Sequence, residues 1–262
     1  MLREQFEYRE LLWQMTKRDL LLRYKQTVMG FGWAVFMPLV NTAVFSVIFT
    51  RLAPIEIPRL ANGEPLAYPV FAYCGLLVWN FYASALRFSV ASLTSNLNLV
   101  SKVYFPREIF PFSALLVCLI DFAVGGVVLI AMMIWYGVPV GLSLLWFPLV
   151  LGAHLVFTSA LALLVSMANL FYRDVKYLFE IVITVWMFAT SVLYPVNDDL
   201  GVFGTIMRIN PMTPIVDAYR SVLLYNQAPS LEFGIAAAGS VALLSVSWLV
   251  FHRAEFQFAE NI

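Results

Sequence analysis

The chain has 262 residues, 61% of them hydrophobic and only 12% charged, and its 16 basic and 16 acidic side chains cancel to a net charge of zero. A soluble domain carries roughly 25% charged residues, and a chain of this length has no interior large enough to hide so much apolar surface from water. Composition therefore argues against a soluble globule, the absent positive balance argues against nucleic acid as a partner, and an integral membrane protein is what remains.

The first 29 residues form the expected cytoplasmic segment. They carry Arg3, Arg9, Lys17, Arg18, Arg23 and Lys25, and no small-residue cleavage site follows the first apolar run, so no secretory leader is expected. On a helical wheel at about 100° per residue, Glu7, Glu10, Gln14, Lys17 and Arg18 gather on one side, while Phe6, Leu12, Trp13, Leu20 and Tyr24 occupy much of the rest. Arg9 and Arg23 blur the pattern. The segment predicts an amphipathic helix lying in the membrane interface.

Residues 30–262 read as one transmembrane domain. A span needs roughly 20 mostly apolar residues, and six runs qualify: 30–50, 70–91, 112–138, 144–170, 178–196 and 233–251. Three carry no Asp, Glu, Lys or Arg, and the others carry one each: Arg87, Asp121 and Glu180. The predicted fold is thus all-α with six transmembrane helices. Lys and Arg cluster in the leading segment, the 94–111 loop, the 171–177 loop and the tail, which places both termini in the cytoplasm.

The 94–111 loop contains SKVYFPREIFP, which packs Lys102, Arg107, Glu108, Tyr104 and Phe105 together with two prolines, Pro106 and Pro111. Pro106 suits a helix start, where its missing N–H is not needed, and Pro111 suits entry to the third span. A short, stiff, charged element fits a groove on a soluble partner. After the fifth run, region 197–230 holds two apolar pieces of half-span length, LGVFGTIMRI and IVDAYRSVLL, separated by NPMTP. Pieces this short predict two re-entrant helices that dip into the outer leaflet and return.

Catalytic signals are poor. His154 and His252 stand apart, Cys74 and Cys118 read as packing thiols, and neither a metal-ligand spacing nor a G-x-S-x-G or G-x-x-x-x-G-K-[ST] loop occurs. The chain is not expected to be an enzyme, to bind a metal or to hydrolyse ATP itself. Asp121 has no evident intramembrane basic partner; it reads as a polar contact to a neighbouring helix, or as the relay of a stand-alone proton-coupled carrier. Aromatics are plentiful, with 22 Phe, 12 Tyr and 7 Trp. Ala34, Pro38, Asn41 and Phe45 share one helical face, and Thr184, Phe188, Ser191 and Tyr194 another; such mixtures of rings, hydroxyls and an amide suit sugars, or ordinary helix packing.

RYKQTVMGFGWAVFMPL, KVYFPREIFP, NLFYRDVKYL and NPMTPIVDAYRSVLL, in that order and spacing, resemble the membrane subunit of ABC-type polysaccharide exporters, the permeases for O-antigen, teichoic acid and related lipid-linked glycans. The resemblance runs from about residue 11 to 251. It implies a homodimer of this chain in the bacterial cytoplasmic membrane with two copies of a separate ATPase subunit, which would hold ATP and Mg, and no cofactor in this chain. Lys102, Val103, Tyr104, Phe105, Pro106, Arg107 and Glu108 would form a coupling helix on that ATPase, joined by Arg173 and Asp174 of the second cytoplasmic loop. Asn210, Pro211, Pro214, Asp217 and Arg220 would belong to the re-entrant outer mouth. A path along the first and fifth spans, past Asn41, Phe45, Thr184, Phe188, Ser191 and Tyr194, would carry the lipid-linked glycan. The competing expectation within the same superfamily is an exporter of a small drug, haem-like or lipid substrate.

Overall fold

A computed structural model describes residues 8–25, 27–30, 32–52, 54–55, 57–60, 63–97, 99, 105–196 and 201–258, and every regular element among them is helical. In chain order these are α1 (Arg9–Tyr24), α2 (Gly32–Val47, prolonged by a π-turn over Ile48–Leu52), α3 (Tyr68–Ser92), α4 (Ile109–Trp135), α5 (Phe147–Phe171, preceded by a 3-10 turn over Leu142–Trp146), α6 (Val175–Phe188), α7 (Gly201–Ile209), α8 (Met212–Leu223) and α9 (Leu231–Phe258). Among the described residues, five stretches are long and apolar enough to cross a bilayer: Gly32–Leu52, Tyr68–Ser92, Ile109–Trp135, Leu142–Phe171 and Leu231–Glu255.

α3 is the axis of the bundle. It packs against α2, α4, α5, α6 and α8. Phe71, Tyr73, Cys74, Leu77, Tyr82 and Leu86, which cover all of its faces, are buried. A helix apolar all round belongs in the middle of a membrane bundle. α2 lies at the periphery on α3 and α4, leaving Phe36, Met37, Val44 and Val47 exposed.

The fifth apolar run, 178–196, does not form the full-length span expected of it. Its helix, α6, has 14 residues, about 21 Å at 1.5 Å per residue against a hydrocarbon core of roughly 30 Å. The chain then leaves the helix in turns over residues 189–194. The reason lies in α8. The Arg220 guanidinium takes the carbonyls of Ser191 and Val192, and the Asn210 amide takes that of Ala189, so these groups are satisfied from outside the helix.

The two ends of the bundle are built differently. At one end, Leu93 after α3, Phe105, Ile109 and Phe110 at the start of α4, Leu170 of α5 and Phe251 of α9 form one apolar cluster, joined by Leu11, Leu12 and Met15 of α1. The first and last described helices therefore meet at the same end. The other end holds the 3-10 turn before α5, the 189–194 turns, α7 and α8. Cys74 and Cys118 are both buried free thiols.

Candidate functional site: polar clusters at the two ends of the bundle

Of the expected coupling element, Lys102, Val103 and Tyr104 lie outside the described residues. Phe105 is buried and its ring lies 5.5 Å from that of Phe110. Residues 105–108 are turn rather than helix, and α4 begins at Ile109. Pro111 therefore sits inside the first turn of α4, at the entry to the third span, where a missing N–H costs nothing. Arg107 is not a free surface charge: its Nη1 donates to the Glu255 carbonyl at 2.5 Å and lies 3.8 Å from the Glu255 carboxylate on α9. Glu108 is buried as well. Arg173 and Asp174 occupy the exposed α5–α6 turn at this same end of the bundle. The structure thus brings Phe105, Pro106, Arg107 and Glu108 to one end with Arg173 and Asp174, and ties the first group to the last helix.

A second cluster, reaching from this end to the middle of α4, escaped the sequence reading. Arg23, near the end of α1, makes an ion pair of 2.7 Å with Asp121 of α4, and its guanidinium lies 4.4 Å over the Phe88 ring. The Tyr24 hydroxyl donates to the other Asp121 oxygen. Burial, reinforced by that carboxylate, pushes the Tyr24 pKa well above its ordinary value, so the hydroxyl stays a donor. Further along α1, Asp19 accepts from Ser113 of α4 at 2.6 Å, and Arg18 donates to Asn96 at 3.0 Å. Asp121 has a basic partner after all, supplied by the helix that precedes the spans. The signal was present: Arg23 was one of the two residues that spoiled the amphipathic wheel. The other two charges within apolar runs pair with each other, Arg87 Nε on α3 with Glu180 on α6 at 2.9 Å.

At the opposite end, Asn210, Pro211, Pro214, Asp217 and Arg220 do come together. The Asn210 oxygen accepts from the Met212 amide at 3.0 Å and from Trp186 Nε1 at 2.9 Å, while its nitrogen donates to Ala189 O and Thr190 Oγ1, both at 2.8 Å. One side chain therefore starts α8 and fixes it to the end of α6. Pro211 and Pro214 stand before and within the first turn of α8, where proline is tolerated. Arg220 is only 2% exposed. It donates to Val192 O at 2.6 Å and to Ser191 O, reaches Asp217 at 3.3 Å, and stacks 3.7 Å from the Phe71 ring. Asp217 also accepts from Ser191 Oγ at 2.8 Å. Gly75 on α3 is required here, because a Cβ would strike the Val192 carbonyl and the Arg220 guanidinium. Deeper in, Tyr219 meets His154 Nδ1 at 3.3 Å and packs on Phe122 and Phe147.

The six residues expected along a path on the first and fifth spans are not gathered on one wall of a single chain. α2 packs on α3 and α4, while α6 packs on α3 and α5. Phe45 lies against Phe49, Thr184 donates back to Glu180 O at 2.8 Å, and Tyr194 donates to Phe188 O. Ser191 turns inward to Asp217. Phe188 stays exposed, and Asn41 opens instead into a cleft between α1, α2, α3 and α4. Among the described residues, no three His, Cys, Asp or Glu side chains come close enough together to hold a metal.

Residues 10–224 match the profile of the ABC-2 type transporter family. The chain is 28% identical to a Myxococcus xanthus protein named O-antigen export system permease protein RfbA, over 100% of this chain and 99% of the relative. It is 27% identical to a Klebsiella pneumoniae protein of the same name, over 96% of this chain and 94% of the relative.

Proposed function

The chain belongs to the ABC-2 type transporter family, and on that premise we propose that it is the transmembrane subunit of an ATP-driven exporter that moves a lipid-linked polysaccharide, O-antigen-like or teichoic-acid-like, across the bacterial cytoplasmic membrane. The observation that carries the reading is the end-to-end similarity to two permeases named for O-antigen export. Two copies of the chain would pair through the exposed apolar faces of α2 and α6, with two separate ATPase subunits supplying ATP and Mg.

Six passes are proposed, the fifth made by α6 together with the 189–194 turns. An even number of passes fits the meeting of α1 and the end of α9 at one end of the bundle. That end carries Lys17, Arg18, Lys25, Arg107, Arg173, Lys176 and Arg253 and is assigned to the cytoplasm. α1 then lies at the cytoplasmic interface as the first segment, 1–29, of a chain whose remainder is one transmembrane domain. α7 and α8 become the re-entrant pair of the outer leaflet. The irregular backbone they create is held inside protein by Asn210 and Arg220, which is the condition for tolerating it at membrane depth.

ATP-driven motion would enter through residues 102–108 and the Arg173–Asp174 turn. From there the Arg107–Glu255 and Arg23–Asp121 contacts would carry it into α9, α1 and α4. Deletion of the gene tests the reading. Loss of surface glycan with lipid-linked glycan accumulating inside the cell is expected, whereas normal glycan on both sides would redirect the assignment to a small-molecule exporter.

A further inference from the structure

Of the polar side chains at or near the middle of the bundle that make no hydrogen bond among the described residues, Thr42 and Tyr82 are buried in the packing, while Asn41, Asn80 and Ser84 remain open. Asn80 is the central residue of the 25-residue α3, Ser84 lies one turn nearer the α1 end, and Asn41 lies beside the midpoint of the 21-residue span Gly32–Leu52. Asn80 and Ser84 are half-buried and Asn41 is exposed, so each keeps hydrogen-bonding groups that hydrocarbon cannot satisfy at this depth. All three line one cleft of about 440 Å³ between α1, α2, α3 and α4. Polar groups left unsatisfied around a shared space at membrane depth mark a water-filled or ligand-filled site.

The rest of the lining narrows the ligand. The charges that line the cleft are Arg23 and Asp121, and they neutralise each other at 2.7 Å, so the site offers no spare charge to an anion. Trp33 and Phe81 add ring surface. A nearby cavity of about 350 Å³ provides the contrast: Leu129, Ile130, Met133 and Val138 make it almost wholly apolar, as an acyl chain would require. Unpaired amides, a hydroxyl, rings and no net charge suit an uncharged group with several hydroxyls and apolar C–H faces.

We infer that this cleft binds a glycosyl unit of the exported chain within each single subunit, with Asn41, Asn80 and Ser84 hydrogen-bonding its hydroxyls. The inference rests on the glycan-export reading and adds a site within each subunit that shares Asn41 of α2 with the expected path. Asn80→Cys is the probe, made in a Cys118→Ala background because Cys118 also lines the cleft, whereas Cys74 is buried and does not. Both test strains carry an inactivated ATPase partner, so that lipid-linked glycan accumulates, and one is also blocked in glycan synthesis. Labelling of Asn80→Cys in native membranes by a small thiol reagent should be several-fold slower where glycan is present. Ser84→Cys repeats the measurement if the first variant fails to insert.

In the active strain, Asn41→Leu/Asn80→Leu should abolish surface glycan at normal membrane levels of the chain, and Asn80→Gln should retain part of it. Equal labelling in the two strains, or full export by the double leucine variant, overturns the site and leaves a water-filled cleft. If the gene deletion accumulates glycan while labelling stays equal, only this inference fails. If the deletion leaves glycan normal, the export reading itself fails.

Discussion

Arg220 and Arg23 are both drawn into the bundle, and they are held in opposite ways. Arg220 is enclosed at the α8 end by carbonyls of a broken helix and by Asp217 three residues away on its own helix. Arg23 is held at the α1 end by one carboxylate from α4 and stacks on Phe88, with 27% of its side chain still exposed. The first is a staple whose partners are backbone groups that no rearrangement can replace. The second is a link between two helices that can open by moving one of them. In a transporter that must change shape, the difference separates a fixed end from a working end.

The largest effect is expected at the staple. Arg220→Met leaves the buried Ser191 and Val192 carbonyls without a donor and removes the cation beside Asp217, a loss of several kcal/mol at roughly 1–3 kcal/mol per stranded group. Thermal unfolding of the detergent-purified chain should fall steeply or the folded yield should vanish. Gly75→Val should do the same by pushing the guanidinium off its carbonyls. A normal melting temperature for both would mean that the α8 end is not pinned there.

Next comes the link. Asp121→Asn or Arg23→Gln alone strands one charge, while the double variant strands none. The singles should each lose more stability than half the double, with a coupling of about 0.5–3 kcal/mol in the cycle. Export should be lost in all three, because α1 no longer follows α4. Additive stabilities, or normal export by the double variant, would remove the link from the working end.

Smaller again is Arg107→Glu, which should weaken export by repelling Glu255, and the exchange Arg107→Glu/Glu255→Arg should restore part of it. A simple ATPase-docking role for Arg107 predicts no restoration. At the bottom of the scale, the Arg87–Glu180 pair is 42% and 54% exposed, and pairs of this kind are worth about 0–1 kcal/mol. Arg87→Gln should leave the melting temperature unchanged within error, and a marked drop would place that pair inside a desolvated contact.

Much of this could be read along the chain. Run length and apolar composition give the long helices, and the spacing of Asn210, Pro211 and Pro214 gives the start of α8. The Lys and Arg distribution gives a two-sided protein. Where the reading went astray, a long-range contact had intervened. The 178–196 run looks like any other span, because nothing local shows that Arg220 and Asn210 will take its last carbonyls. Arg107 and Glu108 look like surface charges until α9 returns beside them. Asp121 looks solitary until α1 folds back 98 positions away in sequence.

The sequence by itself determined that this protein lives in a membrane, that it is helical, roughly where its helices lie, and which family it resembles. Those properties are set by transfer of side chains from water to hydrocarbon and by hydrogen bonding along one segment, both of which are local sums. Only the tertiary structure decided which charges pair, where the fifth helix stops and which amides are left without partners around the central cleft. Those depend on the distance between groups far apart in the chain, and electrostatic and hydrogen-bond energies at membrane depth change by kilocalories over a few ångströms.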